Sequence, residues 1–230
     1  MRSEKILALI TARGGSKGLA RKNVLLAGGK PLVAWTVQAA LNAKSVDRVV
    51  LSSDDDEIMA AALDAGCEVP FRRPAILAND HASSMDVVLH ALSELPHYDY
   101  VVLLQPTSPL RTSSDIDAAF RTMRDNDAPA CVSVTEVEQS PYWMYHILDD
   151  GRLRSILASL PEISRRQDLP PVYALNGAIY IAKIEWLLRT RSFIGSETVA
   201  HKMPKDRSLD IDDAIDFQRF LQIVESPGYL

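Results

Sequence analysis

Residues 12–23, Ala12-Arg13-Gly14-Gly15-Ser16-Lys17-Gly18-Leu19-Ala20-Arg21-Lys22-Asn23, place four basic side chains and three glycines in twelve positions. Glycine lets a backbone turn tightly and bring its N–H groups close to an anion. Arginine and lysine add the charge that phosphate oxygens require. The chemistry is that of a polyphosphate cradle. It is not a Walker A loop, because Lys17 precedes Gly18 and no Ser or Thr follows, and it lacks the G-x-G-x-x-G spacing of dinucleotide folds. A second cluster, Asp210-Ile211-Asp212, precedes the last apolar period of the chain. In an extended backbone these two carboxylates point the same way. Two hard oxygen donors suit Mg²⁺, and acids before a helix also serve as caps; the residues alone leave both readings open. A rival acidic run, Asp54-Asp55-Asp56, follows a strand and could hold a cation or cap the helix after it; here too the residues alone leave both open. Gln105-Pro106-Thr107-Ser108-Pro109-Leu110-Arg111 offers an amide for hydroxyl or carbonyl recognition on a turn stiffened by two prolines, with Arg111 pairing locally.

The elements that must carry these residues alternate. Apolar runs at 6–10, 48–53, 100–104, 130–137 and 178–181 read as strands. Amphipathic stretches at 31–43, 58–63, 84–95, 114–123, 184–188 and 213–224 read as helices. Residues 12–30 read as loop. Continuously apolar strands with helices between them imply a sheet covered on both faces. The fold class expected is α/β: a three-layer α/β/α Rossmann-like sandwich with a mostly parallel sheet. Ligands of such sheets bind beyond the carboxyl ends of the strands, where the strand order reverses. The alternation fails at 137–172, which is expected to be an inserted arm of a single domain spanning 1–230.

Composition narrows the classes. The chain has 230 residues, 25 Lys plus Arg against 30 Asp plus Glu, and a net charge of −5. That balance disfavours a nucleic-acid backbone as partner. The charge is uneven, however: Arg2, Lys5, Arg13, Lys17, Arg21 and Lys22 face only Glu4 within the first 23 residues. No apolar run suits a membrane helix or a signal peptide, and Cys67 and Cys131 form no metal spacing or disulfide framework, so a soluble cytoplasmic protein is expected. The five histidines show no ligand spacing.

The basic loop resembles the nucleotide-binding signature of acylneuraminate cytidylyltransferases, the CMP-sialic acid synthetases. The resemblance recurs at Arg73-Pro74 with Ala82-Ser83-Ser84, at residues 105–111, at Asn176-Gly177-Ala178-Ile179-Tyr180 and at residues 210–212. It implies a Mg²⁺-dependent nucleotidyltransferase that joins CTP to a nine-carbon 2-keto sugar acid. It implies Arg13, Gly15, Ser16, Lys17, Lys22 and Asn23 at the phosphates and ribose, and Arg73, Ala82 and Ser84 at cytosine. Asp210 and Asp212 are implied as metal ligands, which favours the cap for Asp54-Asp55-Asp56, and Lys22, Arg13 and Asp210 as the catalytic groups. Gln105, Arg166, Asn176 and Tyr180 are implied at the sugar. Phe193 matches an aromatic that reaches the neighbouring subunit's sugar pocket, and the 137–172 segment resembles a dimerisation arm, so a homodimer is implied.

The chain departs from that pattern at Thr11, Ala20, Ala174 and Ile194. The last two fall in the sugar half of the site and leave open N-acetylneuraminate, legionaminate, pseudaminate or a deaminated relative. Two other readings stand beside this one: a nucleotidyltransferase of the same fold acting on a sugar phosphate, and a non-catalytic nucleotide-binding module.

Overall fold

The computed structural model describes residues 4–15, 18–157, 165 and 168–226. Its centre is a six-stranded sheet. Strands β1 (Ile6–Thr11), β4 (Arg48–Ser52), β5 (Tyr100–Leu104), β6 (Ala130–Glu136), β9 (Tyr173–Lys183) and β10 (Val199–Lys202) stand in the order β10-β6-β9-β5-β1-β4. Strand β9 runs antiparallel to both β5 and β6, and the remaining pairings are parallel. The α/β sandwich expected from the alternation is therefore present.

Both faces are covered because the strands are apolar on both faces. Ala8 and Ile10 of β1 pack toward helices α1 (Leu32–Leu41), α2 (Asp56–Asp64) and α4 (Ser113–Asp125). Leu7 and Leu9 pack toward α3 (Ser84–Glu94) and α5 (Ile184–Thr190). The last helix, α6 (Ala214–Val224), buries Phe217, Phe220 and Val224 against Leu32, Leu110 and Ile211. Cys67 and Cys131 are buried free thiols, both pushed up to about 12 by desolvation, as fits structural rather than reactive cysteines.

Two elements differ from the sequence expectation. Residues 12–30 are not loop throughout: strands β2 (Leu26–Ala27) and β3 (Lys30–Pro31) form a hairpin whose Gly28 and Gly29 take φ of 55° and 77°. Two successive left-handed residues are what a tight hairpin turn requires, and glycine supplies them without Cβ strain. The edge strand β10 lacks a continuous apolar run because its four residues alternate between half-buried and exposed. Within 137–172, strands β7 (Tyr145–Ile147) and β8 (Leu153–Ser155) pair as a separate antiparallel hairpin, beginning where Val137 N–H meets Val172 O at 3.1 Å.

The chain passes from β1 to β4 on one side and then returns to β5 on the other, so the connections after β1 and β5 diverge and open a crevice between them. A buried ion pair links the helix layer to the segment that completes this crevice. Arg207 donates to both oxygens of Asp115, at 3.0 and 2.8 Å, and Asp115 also closes the capping box of α4 with Thr112. Burial pushes the Asp115 carboxyl up, but the bonds from Arg207 and Thr112 outweigh it and hold it below the usual carboxylate range. A lowered carboxyl contributes stability above the ordinary aspartate pKa and loses it as pH falls through the folded value. Asp115→Asn should therefore cost about 1–2 kcal/mol at neutral pH, reduced from the fully buried case because Arg207 is partly exposed. Urea unfolding across pH checks this: the gap to the wild type should persist to mild acid and close only below the ordinary carboxylate range.

Candidate active site

The basic loop leaves the carboxyl end of β1 and wraps one side of a cleft of about 590 Å³. The turn after β5 forms its floor, and the segment between Arg73 and Ser84 forms the opposite wall. Arg13, Gly15, Lys22, Asn23, Arg73, Ala82, Ser84, Gln105 and Asp212 all line this one space, although they come from positions up to about 200 residues apart. Ser16, Lys17 and Arg166 lie outside the described residues.

Loop geometry explains the glycines at 14 and 18. Gly14 N–H donates to Asp54 Oδ1 at 3.1 Å, and a Cβ on Gly14 would stand 2.7 Å from Asp55 Oδ2. A Cβ on Gly18 would stand 2.1 Å from the carbonyl oxygen of Asp212. The loop thus rests its backbone directly on the acidic segment. Asn23 is buried and donates to Arg13 O at 3.2 Å, tying the two ends of the loop together. Asp55 accepts from Glu57 and Ile58 N–H, both at 3.0 Å, and Asp56 pairs with Arg72 at 2.6 Å. The 54–56 run therefore caps α2, as expected, and it also anchors the loop through Gly14.

Arg73 is 5% exposed, and its Nε donates to Ser52 Oγ at 3.1 Å. Desolvation lowers it to about 10, so it remains a cation at neutral pH while meeting mainly neutral oxygens. Arg13 pairs with Asp80 at 2.8 Å across the mouth of the cleft. Asn79 shapes the same wall: its Oδ1 accepts from the N–H groups of His81 and Ala82 at 2.8 and 3.0 Å, and its Nδ2 donates to Ile76 O at 2.7 Å. Neither Asn79 nor Asp80 was assigned from sequence. The Asn-Asp pair after a proline-bearing stretch was the available signal for a side-chain-stabilised turn.

Asp210 and Asp212 flank Ile211, which is fully buried while both aspartates reach the surface, Asp210 with its carboxyl partly desolvated. Ile211 N–H donates to Thr107 O at 2.8 Å, and Lys22 Nζ donates to Ile211 O at 2.9 Å. Desolvation at the cleft raises the Asp210 carboxyl, and the Asp212 charge pushes the same way, against a hydrogen bond with Thr107 and the charge of Lys22. Two mutually repelling carboxylates beside a phosphate-type loop fit a divalent cation. Among the described residues no group of three or more His, Cys, Asp or Glu forms a complete cage. This donor set fits Mg²⁺, which keeps room for substrate oxygens beside one or two carboxylates.

Two residues expected at the sugar are buried within the chain. Asn176 is 6% exposed, and its amide is spent inside the protein. Its Oδ1 accepts from Ser133 Oγ at 2.6 Å and its Nδ2 donates to Ser208 Oγ at 3.0 Å, so it ties β9 to the acidic segment rather than offering an open ligand group. Phe193 is 7% exposed and packs on Tyr180 with ring centroids 5.7 Å apart, so within its own chain the ring belongs to the core. Tyr180 is half-buried, and desolvation and then the Asp210 charge raise its hydroxyl. Gly177 has φ of 72°, and the point its Cβ would occupy lies 3.3 Å from Gln105 Oε1 and 3.7 Å from Asp210 Oδ2. A side chain there would be strained and would crowd both groups.

Residues 7–147 match the family model described as cytidylyltransferase. The chain is 37% identical over 219 residues to the N-acylneuraminate cytidylyltransferase of Escherichia coli O18:K1:H7, covering 95% of this chain and 52% of that protein. It is 34% identical over 232 residues to the CMP-N,N'-diacetyllegionaminic acid synthase of Legionella pneumophila, covering 96% of this chain and 97% of that protein. A solved CMP:2-keto-3-deoxy-manno-octonic acid synthetase complexed with CTP shares the fold, with a TM-score of 0.74 at 17% identity, covering 96% of this chain and 99% of that one. The chain belongs to the cytidylyltransferase family. It spans about half the length of the E. coli relative and nearly all of the Legionella one.

The two glycine contacts separate packing from mere loop character. Gly18→Ala should lower the melting temperature and loosen the loop, because the Asp212 backbone must move. Gly15→Ala meets nothing within 4 Å and should leave stability unchanged. Thermal melts of both variants check this; equal effects would show that the Gly18 contact is unimportant.

Proposed function

We propose that this chain transfers CMP from CTP to the anomeric hydroxyl of a nonulosonic acid and releases pyrophosphate. The observation that carries the reading is the meeting, in one cleft, of the basic glycine loop, the buried Arg73 and Asp212, with Asp210 beside it raised in part by the Asp212 charge. Similarity along most of the chain to enzymes named for sialic-type acids supports the acceptor class. Which nonulosonic acid is used rests on the sugar half of the site, where Gln105 and Tyr180 stand near Asp210.

Arg13, Lys22 and Asn23, with backbone N–H groups at Gly15, hold the triphosphate, and Arg73, Ala82 and Ser84 meet the base. Asp210 and Asp212 hold Mg²⁺, which when bound neutralises phosphate charge and favours ionisation of the attacking hydroxyl. The sugar hydroxyl forms a bond to the α-phosphorus as the bond to the β-phosphate oxygen breaks. No covalent enzyme intermediate is needed, so catalysis is positioning and charge stabilisation. Lys22, held by Ile211 O beside the acids, is placed to stabilise charge on the phosphoryl oxygens.

The assay is pyrophosphate release with CTP, Mg²⁺ and a panel of nonulosonic acids and sugar phosphates. Release with a nonulosonic acid is expected, and Lys22→Ala should reduce turnover on the order of 10²-fold. Release only with a sugar phosphate would overturn the acceptor assignment, and none with any acceptor would overturn the activity.

The reading extends to a homodimer working in the cytoplasm. The β7–β8 hairpin exposes Tyr145, Ile147 and Leu153, with Ile147 77% exposed, and Trp143, Met144 and Ile156 continue the apolar surface. A second copy of the arm is the partner that surface suits. Sedimentation velocity should give a dimer for the wild type and a monomer for the Ile147→Asp, Leu153→Asp double variant. A wild-type monomer would overturn it.

A further inference from the structure

The turn after β5 carries a cation that the reaction described above does not use. Arg111 is 2% exposed and lies behind the floor of the cleft rather than in its lining. Its Nη1 donates to Gln105 O at 3.2 Å and Ser108 O at 2.9 Å. Its Nη2 donates to Thr36 Oγ1 at 2.7 Å on α1 and to Gln105 O at 3.3 Å. The buried Nε finds no hydrogen-bond partner among the described residues. Desolvation lowers the group to about 9, with Asp115 opposing. A buried guanidinium meeting neutral oxygens is a costly way to close a turn that two prolines already stiffen.

We infer that Arg111 is a positioning residue that locks the 105–111 turn to α1 and thereby sets Gln105 and the Asp210–Asp212 segment in register with each other. The path is explicit. Arg111 grips the carbonyls of Gln105 and Ser108. Between them, Thr107 accepts from Ile211 N–H at 2.8 Å and its side chain bonds Asp210. Ser108 Oγ donates to Asn176 O at 3.3 Å, and Asn176 in turn holds Ser208. The acceptor-side amide and the paired acids are thus both tied to one turn, and that turn is tied to α1 by one fork of donors. Lysine cannot replace it, because a single ammonium does not span two elements with planar geometry. The Arg73 wall is held separately, through Ser52 and Asn79, and the start of the basic loop through Asp54, whereas Gly18 and Lys22 touch the acidic segment directly.

This inference rests on the proposed activity for its kinetic arm but not for its structural arm. In Arg111→Lys, hydrogen exchange should accelerate in residues 105–112 and in 208–213 together, while 73–84 keeps its protection. In the CTP assay, the KM for the sugar acid and the Mg²⁺ needed for half-maximal rate should each rise about tenfold, since displacements of about 1 Å cost factors of that size or more. The dissociation constant for CTP without metal should stay within about twofold, a change worth only a fraction of a kcal/mol. Thr36→Val removes one anchor and keeps the charge, so it should give a smaller change in the same direction; it decides the matter if Arg111→Lys does not fold. Unchanged exchange in 208–213, or a fall in kcat alone with both half-saturation values fixed, would reduce Arg111 to a packing residue and overturn the inference. A wild type that releases no pyrophosphate overturns the proposed activity instead, and leaves the exchange experiment standing.

Discussion

A cleft that is to take a triphosphate, as proposed above, must hold positive charge that the fold does not cancel. In this chain that constraint governs the packing around the crevice between β1 and β5. Arg73 and Arg111 are both buried, both lowered by desolvation, and both hydrogen-bonded to neutral oxygens rather than gripped by carboxylates. Burying a cation in this way is unfavourable for the empty fold. The acids that do approach the basic loop do so at its edges: Asp54 takes a backbone N–H from Gly14, Asp80 takes Arg13 at the mouth, and Glu57 takes Arg21. These contacts order the loop while leaving its field directed into the cleft. They are partly exposed pairs, of the kind a polyanion can outcompete.

Topology supplies the place where such a charge can be useful. The crevice opens because β1 has β4 on one side and β5 on the other, so the segments leaving their carboxyl ends part company. The acidic segment returns to that crevice from the far end of the chain. It is fixed there from several directions: Arg207 on Asp115, Ser208 on Asn176, and Ile211 on Thr107 and Lys22. Its placement is a tertiary fact, made by contacts spanning up to 189 positions in the chain.

That distinction also explains what could be read in advance. The strands and helices were legible because continuous apolar runs and amphipathic periods are local signals. The loop chemistry was legible because glycine and basic density report on backbone and charge without any partner. The alternation around Ile211 was legible for the same reason, since a two-residue period puts its neighbours on one side. The roles of Asn176 and Phe193 were not. Nothing near Asn176 in sequence says that Ser133 and Ser208 will consume its amide, and nothing near Phe193 says that Tyr180 will receive its ring. Asp80 and Arg111 share that opacity, because the former matters only against Arg13 and the latter only against Thr36 and the turn carbonyls. Strand β10 was missed because an exposed edge of four alternating residues carries too little apolar signal.

The acidic segment completes the electrostatic logic with the opposite sign. Asp210 is raised by desolvation and by Asp212, so the folded chain binds its proton more tightly than the unfolded chain does. The stability linked to that proton is present at low pH and is lost as pH rises through the raised value. The site therefore carries two unfavourable arrangements at once: a buried cation in its wall and another behind its floor, and repelling carboxylates at its edge. They stand close enough that Lys22 touches both regions, lining the cleft while donating to the carbonyl between the acids. A divalent cation would relieve the second arrangement, and a polyphosphate held by Arg13 and Lys22 would bring charge that the cation's site favours. Binding of the two should therefore be mutually reinforcing, because whatever one contributes to the other's affinity is returned in equal measure. The pairing of a metal with a polyphosphate in the proposed reaction follows from that placement of charge.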